Sequence, residues 1–216
     1  MDGLVFTQLQ WFRVDEHGWP EIFERGVQMP ACTSIVFEQD TLEKLHTLQS
    51  NFHLPLLHKC EFSSIWDHFG YDHRGISALQ RNHAKVLKFS ISDMFQEFPE
   101  MLEPNDEVEQ LELVLLHESS LHLFQSMEDI VSRFCETNPI TRKLPCLHLK
   151  VLRLRLVKFE VANRKLVSNL CRWMMKDRRL AGYSLEKCYI WWDCNDWEKA
   201  ASLVLGMGNE EAEIEE

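Results

Sequence analysis

No apolar run in this chain approaches the ~18 residues that a membrane-spanning helix needs. The opening stretch Met1–Gln10 lacks the basic start and apolar core of a secretory signal. The cysteines (Cys32, Cys60, Cys135, Cys146, Cys171, Cys188, Cys194) are seven in number, scattered, and include no C-x-x-C pair. There is no Asn-x-Ser/Thr glycosylation site either. These absences argue against a disulfide framework and a membrane role, and they point to a reducing compartment, cytoplasmic or nuclear.

Signatures of chemistry are equally scarce. His117-Glu118-Ser119-Ser120-Leu121-His122 comes near the H-E-x-x-H zinc motif, but its histidines are five apart. That spacing separates them by about 140° around a helix, where a shared zinc needs about 40°. The cluster His58, Cys60, Asp67, His68, Asp72 and His73 has the same spacing fault between His68 and His73 and reads as solvated or capping residues. Gly206-Met207-Gly208 has no third glycine and no following helix to cradle a phosphate. No spacing brings a nucleophile beside a base. The expectation is no catalytic residue, no metal ligand and no cofactor, hence a protein that is not an enzyme.

What is present is a globular composition, 45% hydrophobic and 26% charged over 216 residues, with a divided charge. From Arg142 to Lys187 there are 13 Lys/Arg against three acids, a local balance of +10 within a chain of net charge −11. The remainder therefore carries −21, and five Glu of it lie in Asn209–Glu216. A basic stretch of this kind offers one route to function, association with nucleic acid or another polyanion through residues 142–187.

Self-comparison finds a repeat. Leu149-x-x-Leu152-x-Leu154-x-x-Val157 is matched by Leu180-x-x-Tyr183-x-Leu185 and by Val108-x-x-Leu111-x-Leu113, with weaker copies starting at Leu9, Cys32, Leu57 and Ala84. The starts are spaced 23, 25, 27, 24, 41 and 31 residues apart. The first four intervals fall in the ~20–29-residue range of leucine-rich repeats. Each apolar run reads as a strand, and helical segments follow at Trp19–Val27, Leu42–Ser50, Met94–Leu102, Ser120–Cys135, Asn163–Lys176 and Asp196–Leu205. In Asn163–Lys176 the stripe is Leu166, Leu170, Trp173 and Met174. Pro30, Pro55, Pro104, Pro139 and Gly182 read as helix stops.

Strand–helix order at this interval predicts an α/β fold, an irregular leucine-rich-repeat solenoid with parallel strands on the concave side and helices on the convex side. Residues 1–208 would form about seven repeats, and 209–216 an acidic disordered tail. An ordinary α/β domain with the same element order is the alternative.

In such a repeat the leucines face inward, and the residues alternating with them line a groove. The middle groove column reads Arg13, Val36, Glu61, Lys88, Glu112, Arg153, Ser184, with Arg155 beside Arg153. Its central members alternate in sign, which favours side-by-side strands and ill suits a phosphate stripe. Trp191 and Trp192 stand consecutively in an expected loop, one to cap the last repeat and the other to serve as an aromatic contact.

Leu149-Lys150-Val151-Leu152-Arg153-Leu154 and Tyr183-Ser184-Leu185-Glu186-Lys187-Cys188-Tyr189-Ile190, followed by Asn195-Asp196-Trp197-Glu198, resemble the degenerate leucine-rich-repeat regions of fungal F-box proteins. The resemblance covers about Val108–Leu205 and implies a substrate-receptor-like surface for a protein partner. No F-box precedes Leu9, so binding to a ligase adaptor is not expected. The expected function is a non-catalytic protein-interaction module. Overall acidity, the mixed groove column and the absence of aromatics among the basic strand residues tell against nucleic acid.

Overall fold

The computed structural model describes residues 4–14, 27–37, 52–65, 84–92, 107–116, 127–137 without 129 and 133, 142, 144–157, 164–193, 201–206 and 213–215. In chain order the strands are β1 (Leu4–Val5), β2 (Trp11–Val14), β3 (Val27–Gln28), β4 (Ser34–Phe37), β5 (Phe52–His53) and β6 (Lys59–Ile65). They continue as β7 (Val86–Ser92), β8 (Gln110–Leu116), β9 (Val151–Val157), β10 (Lys187–Asp193), β11 (Ala201–Gly206) and β12 (Glu213–Glu215). One long helix, α1 (Arg164–Leu180), lies between β9 and β10, and residues within 127–135 are also helical.

The class is α/β. Seven strands, β2-β4-β6-β7-β8-β9-β10, lie parallel in strict chain order, and β11 and β12 extend that sheet antiparallel. The two-residue strands β1, β3 and β5 make a second, smaller parallel sheet. A short strand leads into a long one through a turn: Cys32 N–H donates to Met29 O at 3.1 Å and Leu57 N–H to Leu54 O at 3.1 Å. Pro30 and Pro55 occupy the second position of these turns, where their fixed φ is favourable. They therefore separate two strands and do not stop a helix.

A hydrogen-bond device recurs at every junction between successive parallel strands. Gln10, Thr33, His58, Lys85, Glu109 and Lys150 each offer one carbonyl to two consecutive amides of the next strand's entry, at 2.8–3.3 Å. Just inside lies a row of buried residues, Cys32, Leu57, Ala84, Val108, Leu149 and Leu185, with Leu9 partly buried at its start. Two further rows, Ile35-Cys60-Leu87-Leu111-Leu152-Cys188 and Phe62-Phe89-Leu113-Leu154-Ile190, pack as ladders along the sheet. Phe62 and Phe89 stack at 5.0 Å. Each such side chain removed from water contributes roughly 1.5–3 kcal/mol.

Four expectations are corrected. The last repeat is phased from Leu185, not Leu180: Cys188 pairs with Leu152 and Ile190 with Leu154. Gly182 ends α1, with φ +86°, and is followed by hydrogen bonds from Gly182 N–H to Arg179 O and Tyr183 N–H to Arg178 O. This left-handed cap delays the strand by five residues and puts Tyr189, not Ser184, in the middle column. Second, Ala201–Leu205 is strand, not helix, pairing antiparallel with β10. Third, Glu213–Glu215 of the expected disordered tail forms β12 against β11. Fourth, only part of the expected stripe of α1 faces inward: Met174 is buried and Leu170 packs against the core, but Leu166 and Trp173 are exposed, and Val167, Cys171 and Arg178 are buried instead.

The helix at Asn163–Lys176 does form and runs on to Leu180. Of the helix expected at Trp19–Val27, Val27 opens strand β3; the rest of it, Leu42–Ser50, Met94–Leu102, residues 120–126 and residues 196–200 lie outside the described residues, as do Pro104 and Pro139.

The rotation of α1 has a cause. Arg178 is fully buried, and its guanidinium donates from Nη1 to Phe134 O and Pro145 O, both 3.0 Å, and from Nη2 to Cys146 O at 2.8 Å. Burial pushes its pKa down from the usual arginine value. Cys146, at φ +48°, aims its carbonyl at the guanidinium and also accepts from Leu149 N–H at 3.0 Å. One cation thereby ties α1 to the helical residues before it and to the turn that opens β9.

Candidate interaction face of the sheet

Strand alternation sends one set of side chains into the core and the other to the outer face of the seven parallel strands. Registers align Arg13, Val36, Glu61, Lys88, Glu112, Arg153 and Tyr189 as direct neighbours across seven strands. This is the middle column expected from the sequence, with its last member replaced. Beside it run Trp11, Ser34, Lys59, Val86, Gln110, Val151 and Lys187 on one flank. The other flank carries Ser90, Val114, Arg155 and Trp191. The register between β6 and β7 slips between Phe62 and Ile65.

The charges on this face hold one another. Lys88 Nζ lies 3.0 Å from Glu61 Oε1 and 3.8 Å from Glu112 Oε1, and Lys59 Nζ lies 3.3 Å from Glu61 Oε2. Burial would raise the Glu61 pKa, but hydrogen bonds and charges from Lys88 and then Lys59 outweigh it, leaving the carboxyl below its ordinary value. A second chain of charge runs along the strand entries. Glu109 accepts from Lys85 and Lys150, each at 2.9 Å, one on each carboxylate oxygen. Those two hydrogen bonds hold Glu109 at about 2 and raise Lys85. Sequence alignment of Lys85, Glu109 and Lys150 at the residue following each buried start (Ala84, Val108, Leu149) would have revealed this trio. The Arg178 site had no such signal.

Beyond Arg153 the alternation ends, because its next neighbour in the column is Tyr189. Arg153 stacks its guanidinium 5.6 Å from the centroid of Tyr189, and Tyr189 stacks on Trp191 at 5.7 Å with planes 9° apart. Arg13, Arg155 and Lys187 are exposed; Glu61, Lys88, Glu112, Arg153, Tyr189 and Trp191 are half-buried. Trp191 and Trp192 belong to strand β10, not to a loop, so they point to opposite faces. Trp192 is 3% exposed and sits in the core, which removes it as a contact residue and leaves Trp191 on the outer face.

The described cysteines are free thiols, and burial pushes Cys60 well up and Cys135 to about 11. Cys188 is raised by its hydrogen bond with Cys171 and by burial. Such thiols are poor nucleophiles. Among the described residues no group of His, Cys, Asp or Glu could hold a metal, and no helix is long and apolar enough to cross a membrane. His117–His122 and residues 66–73 fall outside the described residues.

The basic stretch 142–187 is divided by the fold. Arg178 is internal, Lys150 is held by Glu109, and Arg153 lies on Tyr189, while Arg172, Lys176 and Arg179 are exposed on α1. Among its described residues it does not form one continuous stripe. No family model matches the chain, and no curated protein or solved structure compared with it matches either.

Proposed function

We propose that this chain is an irregular leucine-rich-repeat solenoid that acts without catalysis, binding a protein partner through the outer face of its parallel strands. The observation that carries the reading is the single register of that face, which sets Arg13, Val36, Glu61, Lys88, Glu112, Arg153 and Tyr189 in one row. A solenoid is favoured by repetition of the doubled carbonyl acceptor at six successive junctions and by the second sheet that echoes the first three repeats. Protein binding is favoured by the mixture of paired charges with an Arg–aromatic end, the residue types enriched at interaction hot spots. The resemblance to F-box receptor repeats leans the same way, towards a substrate-receptor-like surface.

A photo-crosslinking residue placed singly at Val36, Lys88 or Arg155, and as a control at Arg172 or Lys176 on α1, tests this in cells of the source organism. Discrete adducts from the outer-face positions only are expected. Equal adducts from α1, or none from the sheet, would refute it. Association with a polyanion through residues 142–187 is the competing function; salt-dependent retention on heparin that is lost with the α1 cations and untouched by sheet substitutions would establish it instead.

A further inference from the structure

We infer that the open edge formed by Phe6–Val14 binds an extended apolar segment of a partner protein, which adds a parallel strand beside β2. This site is distinct from the outer face and does not depend on that face binding anything.

Two observations locate it. The first is in the backbone. The nine-stranded sheet has β2 at one edge, and the smaller sheet has β1 at the corresponding edge. At six junctions one carbonyl accepts from two consecutive amides of the next strand's entry, as Gln10 O does from Thr33 and Ser34. On the first strand the amides in that place belong to Gln10 and Trp11, because Trp11 pairs with Ser34. Among the described residues no carbonyl meets either of them.

The second observation is in the core. The inward rows are closed along the sheet and open at this end. Phe6 is 41% exposed, whereas Met29 and Leu54, which take its place in the next two repeats, are 0% and 1% exposed. Leu9 and Phe12 are only partly buried, while Cys32, Leu57, Ile35 and Cys60 in the same rows are buried. In a stacked repeat the neighbouring unit supplies this cover.

Together these features specify the occupant. Within the chain, each such edge is met by a strand that runs parallel, lends one carbonyl to a pair of amides and sets apolar residues on the inward rows. A partner segment of that kind continues the same interface by one strand, with main-chain bonds giving affinity and alternate side chains giving selectivity. A second copy fits less well by either route. A two-fold axis that keeps both cores on one side sets β2 antiparallel to itself, which does not reproduce the shared carbonyl. Head-to-tail stacking would bring up β12, whose three residues Glu213-Ile214-Glu215 offer one apolar residue to the open rows.

The test uses the full chain and fluorescence anisotropy. The probes are a labelled decapeptide of alternating Thr and Leu with terminal lysines, a counterpart with Pro at both central positions, and a third with Glu replacing Leu. The first should bind at least about tenfold more tightly than either of the others. Trp11→Pro deletes an edge amide at a position where an edge strand tolerates proline, and it should weaken binding about tenfold or more. Phe6→Glu should do the same through the apolar row. Trp11→Ala keeps the amide and should cost less than about threefold, and Ile214→Pro, at the opposite edge, less than about twofold. Circular dichroism should show the variants folded, since Phe6 and Trp11 are exposed. Equal binding of the Pro peptide, or equal losses from Trp11→Ala and Trp11→Pro, overturns strand addition. Loss with Ile214→Pro alone places the peptide on β12 and also overturns it. Sedimentation of the chain without peptide should give a monomer; a dimer abolished by Trp11→Pro would make the occupant a second copy and overturn the inference. None of these outcomes bears on crosslinking from the outer face, so the two readings fail separately.

Discussion

Replacing Arg178 by Met tests whether one buried cation sets the pose of α1. The substitution removes three donors at once, from Phe134 O, Pro145 O and Cys146 O. An acceptor left buried and unsatisfied costs about 1–3 kcal/mol. Cys146 O keeps a partner in Leu149 N–H, so two carbonyls bear most of the loss. Methionine fills part of the volume, and the large desolvation of the guanidinium disappears with it, which offsets some of the cost. The net expectation is a loss of about 3–4 kcal/mol, read from urea unfolding at constant slope. Arg178→Lys should recover little, because a point charge cannot serve three carbonyls arranged around a planar fork. Exposed Arg179→Ala, one residue on, should stay within about 0.5 kcal/mol. An Arg178→Met protein as stable as Arg179→Ala would show that the three contacts do not hold the helix.

Other outcomes follow from the same contacts. Leu154→Ala, at a fully buried core position, should cost about 2–5 kcal/mol, and Arg153→Ala about 1 kcal/mol or less; equal losses would refute the inside/outside assignment. Lys88→Glu should destabilise by lining up three acids, and adding Glu61→Lys should restore a coupling of about 0.5–1 kcal/mol in a double-mutant cycle, with strict additivity counting against the pairing at 3.0 Å. Glu109, held at about 2 against 4.5 in an ordinary glutamate, favours the folded state above pH 4.5, and that contribution fades as pH falls towards 2. An NMR titration of its carboxyl with a midpoint above 4 would disprove the bridge to Lys85 and Lys150, and high salt should weaken it because the pair is exposed. Gly182→Ala should cost about 1 kcal/mol through backbone strain at φ +86° alone, since an added Cβ meets nothing within 4 Å; a neutral result in thermal melts would mean that the cap relaxes freely.

Alternation of apolar and polar residues, legible in Leu149–Val157 without any coordinates, was enough to place β9 and its register with β8. The same holds for Leu9, Cys32, Leu57, Ala84 and Val108, because parallel strands in chain order need only a period of two and a repeat near 25 residues. The central charge column was legible for that reason: once the leucines are aligned, Glu61, Lys88 and Glu112 fall beside one another automatically. The periodic pattern misled where two faces were nearly equivalent. On α1, Leu166 and Trp173 are more apolar than Cys171 and Arg178, yet the latter pair is buried. Hydrophobicity ranks residues one at a time and cannot register carbonyls from a distant turn that satisfy a guanidinium.

Sequence by itself determined the order of strands, the inward rows and the middle column as far as Arg153, since all of these are consequences of local periodicity. Only the tertiary structure decided the rest. The left-handed cap at Gly182 sets the phase of β10, and with it Tyr189 and Trp191 rather than Ser184 meet Arg153 and Arg155. The antiparallel return of β11 gives Ala201–Gly206 neighbours on both sides as a strand. The carbonyls of Phe134, Pro145 and Cys146 reach Arg178 across 32 to 44 residues of chain. Each of these depends on groups brought together from far apart, where the energy of one satisfied polar contact outweighs the local preference that a sequence pattern records.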